Sequence, residues 1–380
     1  MLDPKALRTH YARFLRGKDD HALLTGHSHQ AWPDAAREGM LGAFDDAAAL
    51  VDDKWGRAFE AADAVRRCVA EVIGAEADEI ALGQNTHELV TRFLSALDWK
   101  RRRHVVTTAG EFHSLYRQLS RLAEEGLEVT WVDPDPLDTL AERIAAEVRD
   151  DTAAVMCSNV LFETSSIVPH LELATEAARA HGAEMLLDAY HSFMNVPFTV
   201  PAGVWLTSGG YKYAQWGEAT CFLRVPKETT LRPVYTGWFA DFAHLAAPRD
   251  GQVHYGARPA DRFAGSTYDP VSHYRARAVI CFFEAQGMTV EALRASYLRQ
   301  TARLIEGLDG YDVRTPREDA RRGGFVTVEI DDASRVVAAL RERDVHTDAR
   351  GRMLRFGPAP YVTDDEIDRA IAALREVAPR

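Results

Sequence analysis

Apolar and charged residues recur every three or four positions over residues 35–49 and 55–73, a spacing that predicts two amphipathic helices. The second pattern leads into the apolar run 80–83, which is typical of a short buried strand. A polar turn over residues 84–88 follows, and a further helical pattern begins at residue 89. Because a helix start presents free backbone N–H groups at the positive end of its dipole, this turn is a candidate anion site.

Beyond residue 100, short apolar runs alternate with amphipathic stretches, the order that predicts parallel βαβ units. The predicted helices cover residues 112–125, 138–147 and 171–181. The predicted strands cover residues 104–107, 128–132, 153–157, 185–188, 204–206 and 221–224. With the strand at 80–83 they form an open, mostly parallel sheet of about seven strands, in which ligands bind at the C-terminal ends of the strands.

Residues 237–269 show no such pattern and are rich in Gly, Pro, aromatic and charged residues, which indicates a domain junction and the rim of an active site. An α+β pattern follows, with predicted helices at 270–286, 289–308, 333–343 and 364–377 and strands at 325–330 and 353–356. A chain of this length usually divides into domains. We predict an N-terminal segment (1–45) that packs with the small domain, a large domain (46–255) and a small C-terminal domain (256–380).

Composition narrows the functional classes. The formal net charge of −12 argues against nucleic-acid or anionic-membrane binding, which needs a positive surface. The four cysteines have no CxxC spacing, so neither a metal cluster nor a disulfide framework is predicted, and a reducing cytoplasm fits. No apolar run reaches the roughly 18 residues of a membrane span, and the N-terminus lacks a signal-peptide pattern. We therefore predict a cytoplasmic protein that acts on small molecules.

Two polar residues follow neighbouring predicted strands. Asp188 closes an apolar strand, and Lys212 comes after Gly209-Gly210 and the next strand. A buried carboxylate needs a partner; Asp188 is either a helix cap or a counter-ion for a protonated pyridine nitrogen, which keeps that ring an electron sink. Alone, Lys212 could be a surface lysine. Together the two residues are what a Schiff-base site on adjacent strands requires, since burial lowers a lysine pKa and leaves a neutral amine.

Several short motifs carry a family resemblance. They are Gly26-His27-Ser28, Gln84-Asn85-Thr86, Glu111-Phe112-His113-Ser114, Asp188-Ala189-Tyr190-His191-Ser192, Tyr211-Lys212-Tyr213, Gly237-Trp238-Phe239 and Leu354-Arg355-Phe356-Gly357. Over nearly its whole length the chain resembles the class V aminotransferase group of enzymes dependent on pyridoxal 5'-phosphate (PLP), and kynureninase most of all. The resemblance implies the PLP-dependent transferase fold type I, an α/β fold with a large, mostly parallel seven-stranded sheet between helices and a smaller α+β C-terminal domain.

The resemblance also implies roles around the cofactor. Lys212 would bind PLP as a Schiff base and later move protons, and Asp188 would pair with the pyridine nitrogen. His191 would lie near the phenolic edge of the ring. Phe112 would stack on the ring face, although it could equally be an ordinary core aromatic.

The phosphate and the substrate have their own residues in this resemblance. The N–H groups of Thr86 and His87, the Thr86 hydroxyl, Tyr211 and, across a homodimer interface, Trp238 would hold the phosphate. Thr86 could be only a helix cap, and Trp238 an ordinary interface aromatic. Arg355 would fork onto the substrate α-carboxylate, which suits its planar donors, or could be a surface ion-pair residue. The other residues implied on the substrate side are Ser28, His27, Thr267 and Phe239.

The chain departs from the kynureninase pattern on the substrate side. His27 and Thr267 stand where asparagines are usual, and Leu115 stands where a second acidic residue is expected. The leading hypothesis is hydrolytic Cβ–Cγ cleavage of kynurenine or a related substrate, giving alanine and an aromatic acid. A class V aminotransferase or β-eliminating lyase, and a PLP-binding protein without activity, stay as alternatives. A cysteine desulfurase is disfavoured, because residues 314–324 contain no cysteine and Cys281 falls in a predicted helix.

Overall fold

The computed structural model describes residues 2–246, 248 and 250–379. The domain ranges predicted above also include Met1, Ala247, Arg249 and Arg380, which lie outside the described residues. No helix in the described ranges is long and apolar enough to cross a membrane.

The helices follow the amphipathic patterns of the sequence. They are α1 (Pro4–Arg8), α2 (Asp34–Leu50), α3 (Lys54–Ile73), α4 (Thr86–Ala96), α5 (His113–Glu124), α6 (Leu140–Ala146), α7 (Leu171–Ala180), α8 (Val271–Ala285), α9 (Val290–Gly307), α10 (Ala333–Arg341) and α11 (Asp364–Val377). The helix predicted from residue 89 begins earlier, at Thr86, because the Asn85 side chain caps it by accepting from the Glu88 N–H. The helix predicted at 138–147 is shorter, since residues Leu137–Thr139 form a 3₁₀ turn.

The strands fall into three sheets. They are β1 (Ala22–Leu23), β2 (Ile80–Gly83), β3 (His104–Thr108), β4 (Glu128–Val132), β5 (Thr152–Ser158), β6 (Glu184–Asp188), β7 (Val204–Gly209), β8 (Cys221–Arg224), β9 (Asp312–Val313), β10 (Val326–Glu329), β11 (Val345–His346), β12 (Asp348–Arg350) and β13 (Met353–Phe356). Each strand predicted for the large sheet is present. The sequence did not predict β1, β9, β11 and β12, because two or three residues carry no measurable periodicity.

The large sheet has the order β2-β8-β7-β6-β5-β3-β4. Its strands from β7 to β4 pair in parallel, and β8 runs antiparallel between β7 and β2. The strands β3, β5 and β7 are buried along their length, as expected for a sheet with helices on both faces. The predicted fold, a large and mostly parallel seven-stranded sheet with a smaller C-terminal domain, is confirmed.

The C-terminal region has its own antiparallel sheet in the order β12-β13-β10-β9. The N-terminal segment joins this region, since β1 pairs in parallel with β11 and the Gly26 N–H donates to the Gly357 carbonyl at 2.7 Å. Helix α2 packs against α8. The domain limits at residues 45 and 255 stay a prediction.

Candidate active site

Strand pairing brings Asp188 and Lys212 to one edge of the large sheet. β6 and β7 are parallel neighbours with Asp188 opposite Thr207, so their C-terminal ends meet at the same edge. The two glycines before Lys212 are needed for close packing of protein rings. A Cβ on Gly209 would lie 2.0 Å from the Tyr190 hydroxyl, and the neighbouring glycine closely contacts an indole ring.

A cavity of about 240 Å³ opens at this edge. Its lining contains all the predicted cofactor residues except Trp238, namely Lys212, Asp188, His191, Phe112, Thr86, His87 and Tyr211. The remaining lining residues are Asn85, Ser114, Ser158, Val160, Phe162 and Tyr190. Residues from five separate stretches of the chain thus converge on one enclosed space.

The Lys212 amine lies buried in this cavity. Its Nζ is 2.8 Å from Nε2 of His191 and 4.9 Å above the centre of the Tyr190 ring. Burial lowers the pKa of Lys212 to about 7, although the negative charge of Asp188 opposes the shift. A large fraction of the amine is therefore neutral near pH 7, the form that attacks a carbonyl carbon.

Asp188 caps a turn rather than a helix, because no helix directly follows β6 in the described chain. Its Oδ1 accepts the backbone N–H of Tyr190 at 2.8 Å, so the carboxylate fixes the turn that follows β6. Burial raises the pKa of Asp188, while the Tyr190 N–H and the Lys212 charge oppose the rise. The same carboxylate lines the cavity, where it can face a cationic ring nitrogen.

The anion site lies at the start of α4. Asn85 accepts from the Glu88 N–H at 2.8 Å, so the cap leaves the N–H groups of Thr86 and His87 directed outward from the first turn. The Thr86 hydroxyl is buried and has no hydrogen-bond partner of good geometry within the described part of the chain. Because the positive end of the helix dipole adds to these donors, a phosphate group fits this position.

Phe112 forms an aromatic wall of the cavity. It ends the loop before α5, and its ring centre lies 5.6 Å from Nζ of Lys212. Phe162 meets it edge to face, with ring centres 5.4 Å apart and planes at 84°. This edge contact holds Phe112 and leaves room for a planar ring against its face.

Glu111, for which no role was predicted, does not line the cavity but supports residues that do. This buried carboxylate accepts from the Thr108 hydroxyl at 2.6 Å and from the Ser158 N–H and hydroxyl at 3.0 and 2.6 Å. Burial raises the pKa of Glu111 to about 7, although those hydrogen bonds oppose the rise. Glu111 thereby joins the ends of β3 and β5 and positions its neighbour Phe112. A charged residue three positions after an apolar strand was the available signal.

Arg355 is buried rather than a surface residue, so the surface alternative is wrong. Its Nε and Nη2 donate to the two oxygens of Asp348 at 2.9 and 2.6 Å. Its Nη1 donates to the carbonyl of Phe162 at 2.8 Å, which places the guanidinium directly behind a cavity wall. The carboxylate of Asp348, which the sequence analysis did not consider, also bonds to Nε2 of His27 at 2.9 Å.

Other predicted site residues do not line the cavity around Lys212. Ser28 is buried and donates to the Thr25 carbonyl at 3.1 Å. Phe239 and Thr267 line a second cavity of about 480 Å³. Trp238 is 42% exposed and packs on Phe239. Within a single chain these residues do not meet the lysine cavity, and their predicted roles stay predictions.

The chain is similar to known proteins in both sequence and fold. Residues 292–374 match the family model of the kynureninase C-terminal domain. The chain is 25% identical to a kynureninase from Shouchella clausii over 94% of its own length and 88% of that protein. It is 24% identical to the uncharacterized aminotransferase YcbU of Bacillus subtilis, covering 92% of this chain and 93% of that one.

A solved structure supports the fold. A C-DES mutant with glycine covalently linked to the PLP cofactor superposes with a TM-score of 0.84 at 16% identity, covering 96% of this chain and 98% of that chain. At this identity the likeness shows the fold alone. Together with this fold, the kynureninase and aminotransferase similarities support a class V aminotransferase-like protein near kynureninase.

Proposed function

We propose that this chain is a PLP-dependent enzyme that acts on an α-amino acid, with kynureninase-like hydrolytic cleavage of a Cβ–Cγ bond as its leading reaction. The observation that carries the proposal is the convergence of Lys212, Asp188 and the Thr86 turn on one enclosed cavity. PLP is the cofactor of this chain. When bound, PLP supplies an electron-withdrawing ring that stabilises negative charge at the substrate Cα.

The residues of the cavity fit the parts of this cofactor. Lys212 has the partly neutral amine that a covalent bond to the cofactor aldehyde needs. Asp188 would face the pyridine nitrogen, and Phe112 would cover one ring face. The buried Thr86 hydroxyl, with the N–H groups of Thr86 and His87, would receive the phosphate.

Lys212 would also take and return the proton at the substrate Cα. Its amine lies 2.8 Å from the imidazole of His191, whose pKa is held well below its usual range by burial and by the nearby charge of Lys212. A neutral imidazole can accept a hydrogen bond from the amine and hold it in one orientation. Such positioned proton transfer contributes roughly 10²–10⁴-fold to a rate.

The reaction beyond Cα has two candidates. The kynureninase-type matches of the C-terminal domain and of the full chain favour hydrolysis. Two positions favour a class V aminotransferase or β-eliminating lyase instead: His27 is bonded to Asp348 and does not line the cavity, and Leu115 is a buried apolar residue where a second acid is expected. We place hydrolysis first because the kynureninase similarity includes the C-terminal domain that carries Arg355.

We further propose that the enzyme is a cytoplasmic homodimer with shared active sites. Trp238 and its neighbours Val234, Tyr235 and Phe242 are exposed apolar side chains on one segment. A second copy would cover this surface and bring Trp238 to the phosphate of its partner. The four cysteines are free, which fits a reducing compartment.

Covalent labelling tests the cofactor site. Borohydride reduction of the purified protein followed by peptide mass spectrometry should find the cofactor on Lys212. Lys212→Ala should lose the visible absorption band of the bound cofactor, whereas the matched control Lys227→Ala, at an exposed lysine, should keep it. Cofactor label on another lysine contradicts the assignment.

Product analysis separates the two reactions. The protein is incubated with L-kynurenine or 3-hydroxykynurenine, and separately with amino donors and 2-oxo acids. Alanine with anthranilate or its hydroxylated form supports hydrolysis. Exchange of amino groups between many donors and acceptors, without kynurenine cleavage, supports the transaminase alternative.

A further inference from the structure

The half-buried carboxylate of Asp348 lies next to the proposed substrate arginine. Asp348 lies on β12 directly opposite Arg355 on β13. Both oxygens of Asp348 accept from the Nε and Nη2 edge of the guanidinium, at 2.9 and 2.6 Å. The Arg355 side chain is 3% exposed and that of Asp348 is 20% exposed, so the pair is largely shielded from solvent and only weakly screened by salt.

Asp348 and Phe162 do not use all the N–H donors of Arg355. A guanidinium has five N–H donors in a fixed plane. Asp348 receives one from Nε and one from Nη2, and the Phe162 carbonyl receives one from Nη1. One N–H on Nη1 and one on Nη2 remain for a ligand. A carboxylate that approaches Arg355 therefore cannot use the Nε edge.

Asp348 is itself held from a second side. His27 Nε2 lies 2.9 Å from Oδ1 of Asp348, and the His27 ring stacks on Phe325 with ring centres 4.6 Å apart. Burial and the Arg355 charge lower the pKa of His27 to about 4, so the neutral ring donates its N–H to the carboxylate. A Cβ at Gly357 would lie 2.1 Å from the other ring nitrogen, which closes the space behind the imidazole.

The charges of the side chains around Asp348 favour the binding of one anion. Arg350 lies near Asp348, with Nη1 3.7 Å from Oδ2, so two arginines surround one carboxylate. Arg350, Arg355 and Asp348 together therefore carry one more positive than negative charge. A monoanionic carboxylate would restore neutrality.

We propose that Asp348 is a positioning residue: it fixes Arg355 so that the two remaining N–H groups receive the α-carboxylate of an amino-acid substrate. His27 fixes Asp348 in turn, which gives this unusual residue of the early motif a role behind the cavity. The inference rests on the proposed function. A substrate carboxylate that is bound in a set orientation also orients Cα. Since Asp348 acts on the carboxylate-binding group, its loss should weaken the binding of ligands that carry a carboxylate and leave the binding of other ligands unchanged.

The test compares ligands with and without a carboxylate. L-alanine and its decarboxylated analogue ethylamine are titrated into the holoenzyme, and binding is followed by the change in the visible spectrum of the bound cofactor. Asp348→Asn should raise the dissociation constant of L-alanine about tenfold, the loss of one charge-assisted hydrogen bond. The dissociation constant of ethylamine should stay within about twofold on the same scale.

Two further variants test whether Asp348 acts through its charge and through Arg355. Asp348→Glu, which keeps the charge, should restore part of the L-alanine affinity. In an Arg355→Ala background, Asp348→Asn should change L-alanine binding no further, because a positioning residue has nothing left to position. A purely structural role would instead weaken both ligands alike in every background.

The outcomes separate this inference from the proposed function. If L-alanine changes the wild-type spectrum and Asp348→Asn binds it with unchanged affinity, or weakens both ligands equally, the role of Asp348 is overturned and the proposed function stands. If the wild-type protein holds the cofactor but neither ligand changes its spectrum, the proposed function fails, and the inference fails with it.

Discussion

The cofactor side and the substrate side of the site differ in how complete they are within one chain. Around Lys212, the cofactor residues of one chain converge on an enclosed cavity, supported from behind by Glu111. On the substrate side, Arg355 already has a carboxylate partner, and Phe239 and Thr267 line a different cavity.

The two sides also differ in the parts of the fold that position their residues. The predicted cofactor residues Asp188 and Lys212 follow the ends of the neighbouring parallel strands β6 and β7, so the sheet itself fixes their spacing. The predicted substrate residues lie on irregular segments and on the small sheet, and irregular segments vary more between relatives than the strands of a central sheet do. Relatives with one cofactor site can therefore differ in the bond they break.

The largest effect is expected from Asp188→Asn, which tests whether the cofactor side carries the chemistry. An amide cannot provide the negative charge that holds a protonated ring nitrogen, so turnover should fall on the order of 10²–10³-fold, as for other lost electrostatic contacts. Steady-state kinetics with the preferred substrate measures the fall. The control Asp150→Asn, at an exposed side chain, should keep full activity. An active Asp188→Asn enzyme would contradict the assignment.

An intermediate effect is expected from Trp238→Ala, which tests whether a second copy completes the site. If the indole N–H reaches the partner's phosphate, the dissociation constant of PLP should rise about tenfold, the worth of a hydrogen bond to a charged group. Spectral titration and light scattering measure cofactor affinity and mass. Tyr116→Ala removes an equally exposed aromatic from α5 and should change neither. A monomeric wild-type protein with full affinity would refute the shared site.

The smallest effect is expected from Glu111→Gln, which tests the support behind the cavity. The folded-state pKa is about 7 against 4.5 for an ordinary glutamate, so folding binds this proton. The stability that Glu111 contributes is therefore full below about pH 4.5 and is lost as pH rises through 7. Thermal melts should show the wild-type Tm falling more between pH 5 and 8 than that of Glu111→Gln.

The exposed Glu142→Gln variant is the control for this measurement and should follow the wild-type slope. Equal slopes for the wild type and Glu111→Gln would show that Glu111 does not hold a proton in the folded chain.

The sequence predicted the large sheet because its strands are apolar runs, separated by amphipathic helices that carry a clear period. It placed Asp188 and Lys212 near each other because parallel neighbours end at one edge. It did not predict the pair of Asp348 and Arg355, because their pairing depends on the register of two short strands. The short strand β12 has no pattern of its own that distinguishes it from a loop.

Glu111 shows a second limit of the sequence. Its partners Thr108 and Ser158 come from the ends of β3 and β5, and only the folded sheet brings the two ends together. The sequence showed Glu111 only as part of the motif Glu111-Phe112-His113-Ser114 and indicated no role for it. The identity of the groups that would satisfy it required the tertiary structure.

The antiparallel strand β8 completes the strand pairing beside the site late in synthesis. Within the described sheet, β2, which leads into the Thr86 turn, pairs with β8, with Ile80 opposite Arg224 and a buried ion pair between Glu79 and Arg224. The turn made early in the chain therefore lacks this strand pairing until residues 221–224 have been synthesised. We expect nascent chains that end before β8 to contain Lys212 and yet not retain the cofactor, which release of chains of increasing length would test. Cofactor capture would then report completion of the whole sheet.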